Sequence, residues 1–286
     1  MIVLVSGATG NTGAEVMRQL EQAGVTVRAM TRSPKAADRL RGEGREAIVA
    51  DLHDPGSLSA AVAGVDAVYV ANPASPHLAV HEGNLAQASQ AAGVGLLVKL
   101  SVIGCSADSP ITFGRLHFAA EQAIKASGVR WTMVRPNGFM QNTLAWADQI
   151  ASGTVYGPVM DARWSIVDVR DIAALAVEAL RDPDAHAGEA YSATGPEASS
   201  PREQVAVLAE VLGRPIEAQE VSTAQAQESM LDSGWPGWSV LRMAELFGLY
   251  ADGLAQGTSP DIEQVTGRRP RDFRQFAVDH RHGFAA

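Results

Sequence analysis

Three glycines, Gly7, Gly10 and Gly13, stand three residues apart in the run Gly7-Ala8-Thr9-Gly10-Asn11-Thr12-Gly13, directly behind the apolar stretch Ile2-Val3-Leu4-Val5. Residues without side chains let the backbone come close to a ligand. A strand that turns into a helix here aims free amides and the positive end of the helix at one point. An anion such as a pyrophosphate is the group that such a turn holds. The spacing is a variant of the tighter Gly-x-Gly-x-x-Gly fingerprint of dinucleotide sites. In a site for NAD, an acid about 20 residues beyond the turn would hold the ribose 2′-hydroxyl. Here that stretch reads Thr31-Arg32-Ser33-Pro34-Lys35. A carboxylate repels a 2′-phosphate and a guanidinium grips it with two hydrogen bonds, so Arg32, helped by Lys35, points to NADPH over NADH. Asp51-Leu52 is placed to meet the adenine edge. Ala71-Asn72-Pro73 and Pro136-Asn137 close strands, where ligands of parallel sheets gather.

Other reactive side chains form weaker sets. His77 and His81 are four residues apart, the spacing of one helix face, but no His-Glu-x-x-His pattern or cysteine pair accompanies them. A solvated face is expected there, and no metal. Cys105 lacks an activating partner in the sequence and reads as a packed thiol. Trp235 and Trp238 would either line an aromatic pocket or fill a small core.

The elements that must position these residues alternate from the first residue. Strands are expected at 2–5, 25–30, 47–50, 67–70, 96–100 and 131–134. Helices are expected after the glycine turn up to Gly24, then at 34–41, 56–63, 78–92 and 115–126, closed by Gly93 and Gly128 where residues precede them. Such alternation predicts an α/β fold, a doubly wound parallel sheet of the Rossmann type. Beyond Pro136 the connections lengthen, with a strand end and helix returning at 167–180. Ser200-Pro201-Arg202-Glu203 has capping-box spacing and opens a helix over 201–212. We therefore expect a nucleotide-binding domain of residues 1–136 plus about 164–182. A smaller, mainly helical substrate part would hold about 137–163 plus 183–286.

Composition narrows the function classes. The 286 residues are 46% hydrophobic and carry a net charge of −9, which suits a soluble globular protein and offers no footprint for nucleic acid or anionic lipid. One cysteine and the lack of a signal-peptide pattern point to a reducing compartment, the cytoplasm. The most apolar run, 94–104, contains Lys99 and falls short of the roughly 20 residues that span a bilayer.

Further motifs fill the pattern: Val134-Arg135-Pro136 followed by Gly138-Phe139-Met140-Gln141-Asn142, Val167-x-x-x-Asp171-Ile172-Ala173, and Thr266-Gly267-Arg268-Arg269-Pro270. With the glycine turn and Arg32 they resemble the short-chain dehydrogenase/reductase superfamily in its atypical, extended form. The resemblance is specifically to the NmrA-like branch, which includes quinone reductases and triphenylmethane dye reductase. The superfamily's Tyr-x-x-x-Lys would fall at Phe113-x-x-x-His117, so the usual phenol acid is missing. A histidine at position 117 is similar to what dye and quinone reductases of the branch carry. Ser101 falls where the superfamily's catalytic serine lies. The resemblance implies an NADPH-dependent reductase delivering hydride to a conjugated acceptor such as a quinone or dye, with His117 and Ser101 as candidate catalytic residues. The alternative is a redox sensor of the NmrA type that binds the nucleotide without turnover; epimerase chemistry is disfavoured by the missing tyrosine. The expected partner is an aromatic or quinone-like small molecule, with a homodimer left open.

Overall fold

The computed structural model describes residues 1–284. Its first half is a strict alternation. β1 (Ile2–Ser6) leads to α1 (Asn11–Gln22), β2 (Thr26–Thr31) to α2 (Pro34–Gly42), and β3 (Glu46–Val49) to α3 (Pro55–Val62). β4 (Ala67–Val70) leads to α4 (Leu78–Ala91), and β5 (Leu96–Leu100) to α5 (Thr112–Ala126) and β6 (Trp131–Pro136). The first three strands run outward in one direction and the next ones in the other, giving the order β3-β2-β1-β4-β5-β6 with every pair parallel. This is the doubly wound sheet that the alternation predicts, and its order reverses between β1 and β4.

Side chains alternate across the sheet, so each strand feeds two cores. Val3 and Val5 of β1 and Leu96 and Val98 of β5 pack beneath Val16, Met17 and Leu20 of α1 and beneath α7 (Val169–Arg181). Leu4, Val68 and Leu97 face the opposite way, against Leu58 of α3, Leu85 of α4 and Ile124 of α5. Lys99 shares that second face and is completely buried.

The chain beyond β6 departs in part from the division expected from the sequence. After a 3-10 turn at Met140–Trp146 come α6 (Ala147–Ser152), β7 (Thr154–Gly157), α7, α8 (Pro183–His186) and β8 (Ala190–Ala193). β8 pairs in parallel with β6 and becomes the seventh strand of the main sheet, although its residues lie in the stretch assigned to the smaller part. Four residues with polar Ser192 and half-buried Tyr191 carry too little apolar pattern to declare a strand. The rest comprises α9 (Pro201–Leu212), β9 (Glu217–Glu220), α10 (Thr223–Asp232) and α11 (Gly237–Ala251), followed by α12 (Asp261–Thr266), α13 (Phe273–Asp279) and α14 (Arg281–Phe284). Ser200 and Glu203 form the expected capping box on α9. A second small sheet, β7 with β9, lies beside a separate core of Met140, Ile150, Leu208, Phe276 and Phe284. Arg271, one residue past the Thr266–Pro270 motif, reaches the Val167–Ala173 motif: its backbone N–H and its guanidinium both donate to Asp171 at the start of α7. Among the described residues, no helix is long and apolar enough to cross a membrane.

Candidate functional site

A cleft of about 550 Å³ opens at the carboxyl ends of β1 and β4, where the strand order reverses. Its floor is the glycine turn. Gly7 has φ +72°, a conformation that favours glycine, and a β-carbon on it would run into the Ala71 carbonyl. A β-carbon on Gly13 would run into the Gly7 carbonyl, so both glycines are needed for the strand, the turn and α1 to close on one another. Gly10 differs, because it is exposed and serves as the cap residue of α1 with no side chain to accept the first helical amides. Those donors are unspent at a positively polarised helix end. Nearby, Nδ2 of Asn72 is buried without a hydrogen-bond partner although Asn72 lines the cleft. An unpartnered buried amide is costly, and a diphosphate supplies the acceptors that both features lack. The residues present therefore fit a dinucleotide.

One end of the cleft is polar. Thr31, Arg32 and Ser33 line it from the β2–α2 connection, and Asp51 and Leu52 from the connection after β3. Arg32 is exposed and, among the described residues, has no ion-pair partner, unlike the nearby Arg28 and Arg41. Its guanidinium is free for an anion. Asp51 Oδ1 accepts the His53 amide at 2.9 Å, and the Leu52 carbonyl accepts Asn84 Nδ2 at 3.0 Å, which fixes this loop against α4. His81 of α4 completes the wall. Lys35 sits in the exposed first turn of α2, outside the lining. Asn11 and Gly13 lie in the first turn of α1 behind it.

The other end is apolar, walled by Leu100 and Phe139. The residues expected to do chemistry are close by in the fold, but they are engaged with other groups and do not line the cleft. Ser101 Oγ donates to Glu121 Oε1 at 2.6 Å, and Arg135 holds both oxygens of the same carboxylate at 2.9 and 2.6 Å. Burial opposes ionisation of Glu121, but the hydrogen bonds from Arg135 and Ser101 win and hold its carboxyl below the ordinary value. His117 has Nδ1 3.2 Å from Nζ of Lys99, which also reaches Glu82 at 2.5 Å in a fully buried ion pair. Burial, and then the Lys99 charge, push the His117 imidazole well below its usual value. The ring is thus neutral at pH 7. An ammonium only donates, so Nδ1 accepts and the proton of the neutral ring sits on Nε2. Asn137 is spent on structure, its Nδ2 donating to Ser165 Oγ and the Ala255 carbonyl at 2.9 Å each, and Pro136 accepts the Ile103 amide through its carbonyl.

A second cavity of about 380 Å³ lies beyond Ile103 and is closed by Ile111 of the loop before α5 and by Leu249, Leu254 and Ala255. Neither Trp235 nor Trp238 lines it; Trp238 packs edge-on against Phe113 and Trp235 is exposed. Cys105, one turn past Ser101, has its thiol pushed up to about 11 by burial and by the Glu121 charge, so it carries no thiolate at neutral pH.

The cleft gathers Gly7, Thr9, Gly10 and Thr12 with Arg32, Asp51, Leu52 and Ala71-Asn72-Pro73. Sequence reasoning missed Phe139, His81 and the Glu82–Lys99 pair. His81 shows in the sequence only as a helix-face partner of His77, and its place opposite Arg32 arises from packing across some fifty residues. Lys99 looked like an interruption in an apolar run, and that interruption was the available signal.

The chain belongs to the NmrA-like family, whose model matches residues 1–277. It is 37% identical over 286 residues to an NAD(P)H azoreductase from Xenophilus azovorans, covering 100% of both chains. It is 39% identical over 292 residues to the (4-alkanoyl-5-oxo-2,5-dihydrofuran-3-yl)methyl phosphate reductase of Streptomyces griseus, covering 99% of each. Its fold is shared with an NADPH-dependent quinone oxidoreductase from Escherichia coli solved with NADPH, at a TM-score of 0.86 and 24% identity, over 99% of this chain and 100% of that one.

Proposed function

We propose that the chain is an NADPH-dependent oxidoreductase that reduces conjugated acceptors such as quinones, dyes and related aromatic carbonyl compounds. The cleft carries this reading: unspent helix amides and the Asn72 amide await a diphosphate, and a free Arg32 awaits a 2′-phosphate. Full-length relatives named as an azoreductase and a dihydrofuran phosphate reductase support the acceptor class. In this reading Gly7, Thr9, Gly10, Asn11, Thr12 and Gly13 hold the diphosphate, and Arg32 with Lys35 holds the 2′-phosphate. Asp51 and Leu52 border the adenine. Ala71, Asn72, Pro73, Pro136 and Asn137 border the nicotinamide half.

When bound, the reduced nicotinamide supplies a hydride. Leu100 and Phe139 keep water from that end, and the apolar cavity beyond Ile103 offers room for a flat acceptor, walled on one side by Ile103, Ile111 and Ser192 of β8 and on the other by Leu249, Leu254 and Ala255 of the smaller part, 137–163 plus 183–286 without β8. Ser101 and His117 are the proposed catalytic side chains. His117 acts as a neutral hydrogen-bond donor through Nε2, and Ser101 as an oriented hydroxyl on the Glu121–Arg135 pair. Conjugated acceptors spread the incoming charge, so the phenol replaced by Phe113 is dispensable where an isolated ketone would need it. The lone cysteine and acidic charge fit work in the cytoplasm. Following NADPH oxidation against quinones, dyes and simple ketones tests the reading. Turnover with the first two groups and little with the third is expected; NADPH binding with no acceptor reduced would replace it with nucleotide sensing.

A further inference from the structure

Three imidazoles meet at the polar end of the cleft. His81 lines the cleft with Arg32 and Asp51, and its Nε2 lies 3.3 Å from Nδ1 of His53, the rings standing edge to face. His77, one helical turn earlier, brings its ring centroid to 5.9 Å from that of His81. In a chain with 7 histidines and a net charge of −9, one lines the cleft with an unpaired guanidinium where the proposed 2′-phosphate enters, and two more stand against it. Two ring nitrogens at hydrogen-bond distance hold one proton between them, and the pair takes up a further proton on an outward-facing ring nitrogen, which a nearby anion favours.

We propose that the His53–His81 pair is a proton-operated part of the 2′-phosphate site, taking up a proton from solvent as the phosphate monoester docks and so making the choice of NADPH over NADH dependent on pH. The inference rests on the dinucleotide reading of the cleft. The groups that face His81 from the surrounding elements are Arg32 after β2, Asp51 and His53 after β3, and His77 before α4. Asp54 is engaged as the cap of α3, and Glu82, the next residue on α4, is buried against Lys99 on the other side. Burial and the charges of His53, His77 and Arg32 lower the His81 pKa, and Asp51 only partly opposes them, so the ring is neutral at pH 7 in the free protein. A dianion favours the imidazolium and raises that pKa on binding. Affinity must then rise as pH falls through the window between the free and bound values.

The sign separates this device from recognition by Arg32 alone. A phosphate monoester has a second pKa of about 6, and pairing with a guanidinium favours its dianion. Arg32 acting alone would therefore release protons on binding, and the preference for NADPH would weaken towards pH 6. With the histidine pair, protons are taken up and the preference strengthens. Each unit of pKa shift is worth up to about tenfold in affinity, so NADPH should bind roughly three- to tenfold more tightly at about pH 6.5 than at about pH 8, with NADH nearly unchanged.

Isothermal titration of NADPH and NADH at pH 7, in two buffers of different ionisation enthalpy, counts the protons directly. Net uptake with NADPH, none with NADH, and loss of the uptake in His81→Gln and His53→Gln with Arg32-dependent preference retained are the expected results. Proton release or no exchange with NADPH, while Arg32→Ala still erases the preference, overturns the role of the pair and leaves the dinucleotide reading standing. Equal affinity of the wild-type protein for both cofactors overturns both.

Discussion

The two ends of the cleft are built by different means. At the glycine turn and Arg32, binding capacity comes from backbone groups and an unpaired guanidinium left open to solvent. At Leu100 and Phe139, the polar side chains nearby are tied into two buried networks, Ser101–Glu121–Arg135 and His117–Lys99–Glu82. The first end is organised to receive a ligand, and the second is organised around itself. A ligand that brings its own reactive centre and its own charge needs the first kind of site. An acceptor that delocalises charge needs little from the second.

Breaking the closed end should cost the fold before it costs binding. Glu82→Leu leaves the Lys99 ammonium buried and unpaired, and it should lower unfolding free energy by roughly 3 to 5 kcal/mol in urea titration. The double variant Glu82→Leu with Lys99→Met should recover most of the loss. If the single variant is as stable as wild type, the buried pair is not what holds α4 to β5. The open end should respond the other way. Gly10→Val sets a side chain where the proposed diphosphate site lies, with a β-carbon 3.3 Å from the Gly7 carbonyl, and should weaken NADPH and NADH alike by about a hundredfold or more. Full affinity in a folded Gly10→Val protein would remove the turn from the site.

The comparison sharpens with Arg32→Ala, which deletes one charged hydrogen-bond partner from an otherwise intact cleft. Fluorescence titration should show NADPH binding weakened by about 1.5 to 3 kcal/mol and NADH binding barely altered. Equal losses would mean that Arg32 serves the cleft and not the 2′-phosphate. The smallest effect concerns His117. Its folded-state pKa lies well below 6.5, so the unfolded chain binds the extra proton first. The stability contribution of this residue is therefore complete above pH 6.5 and falls away as pH drops from there towards the folded value. Urea titrations of wild type and His117→Gln should converge as pH is lowered through that window; parallel curves would show an imidazole with an ordinary environment.

The same difference explains what the sequence revealed. Gly7, Gly10 and Gly13 are legible because most of what they do is local, a positive φ at Gly7 and the close approach of Gly10 and Gly13 to the Gly7 carbonyl; only the contact of Gly7 with Ala71 is distant in the chain. Arg32 is legible because the proposed ribose end lies a fixed strand and turn away. The sheet itself follows from apolar runs alternating with helical spacing up to residue 136. β8 and β9 are too short and polar to stand out, and they become strands only because β6 and β7 offer free edges. Lys99, Glu82 and His117 belong to three elements, and no sequence spacing could announce that they converge on one face of β5. His53 and His81 are hidden for the same reason.

Chemistry at the closed end is best tested by two acceptors that differ in one proton. A quinone takes up a hydride and a proton to give the hydroquinone, whereas a triphenylmethane cation takes up a hydride alone to give the neutral leuco dye. If the cleft delivers hydride to conjugated acceptors with His117 donating a hydrogen bond through Nε2 to the quinone oxygen, where charge develops and solvent then supplies the proton, His117→Ala should lower quinone turnover on the scale of one lost oxyanion donor, about 10². Reduction of the cationic dye should stay within about threefold of wild type. Equal losses on both acceptors, in a folded protein that still binds NADPH, or no reduction of either acceptor by wild type, would contradict the account.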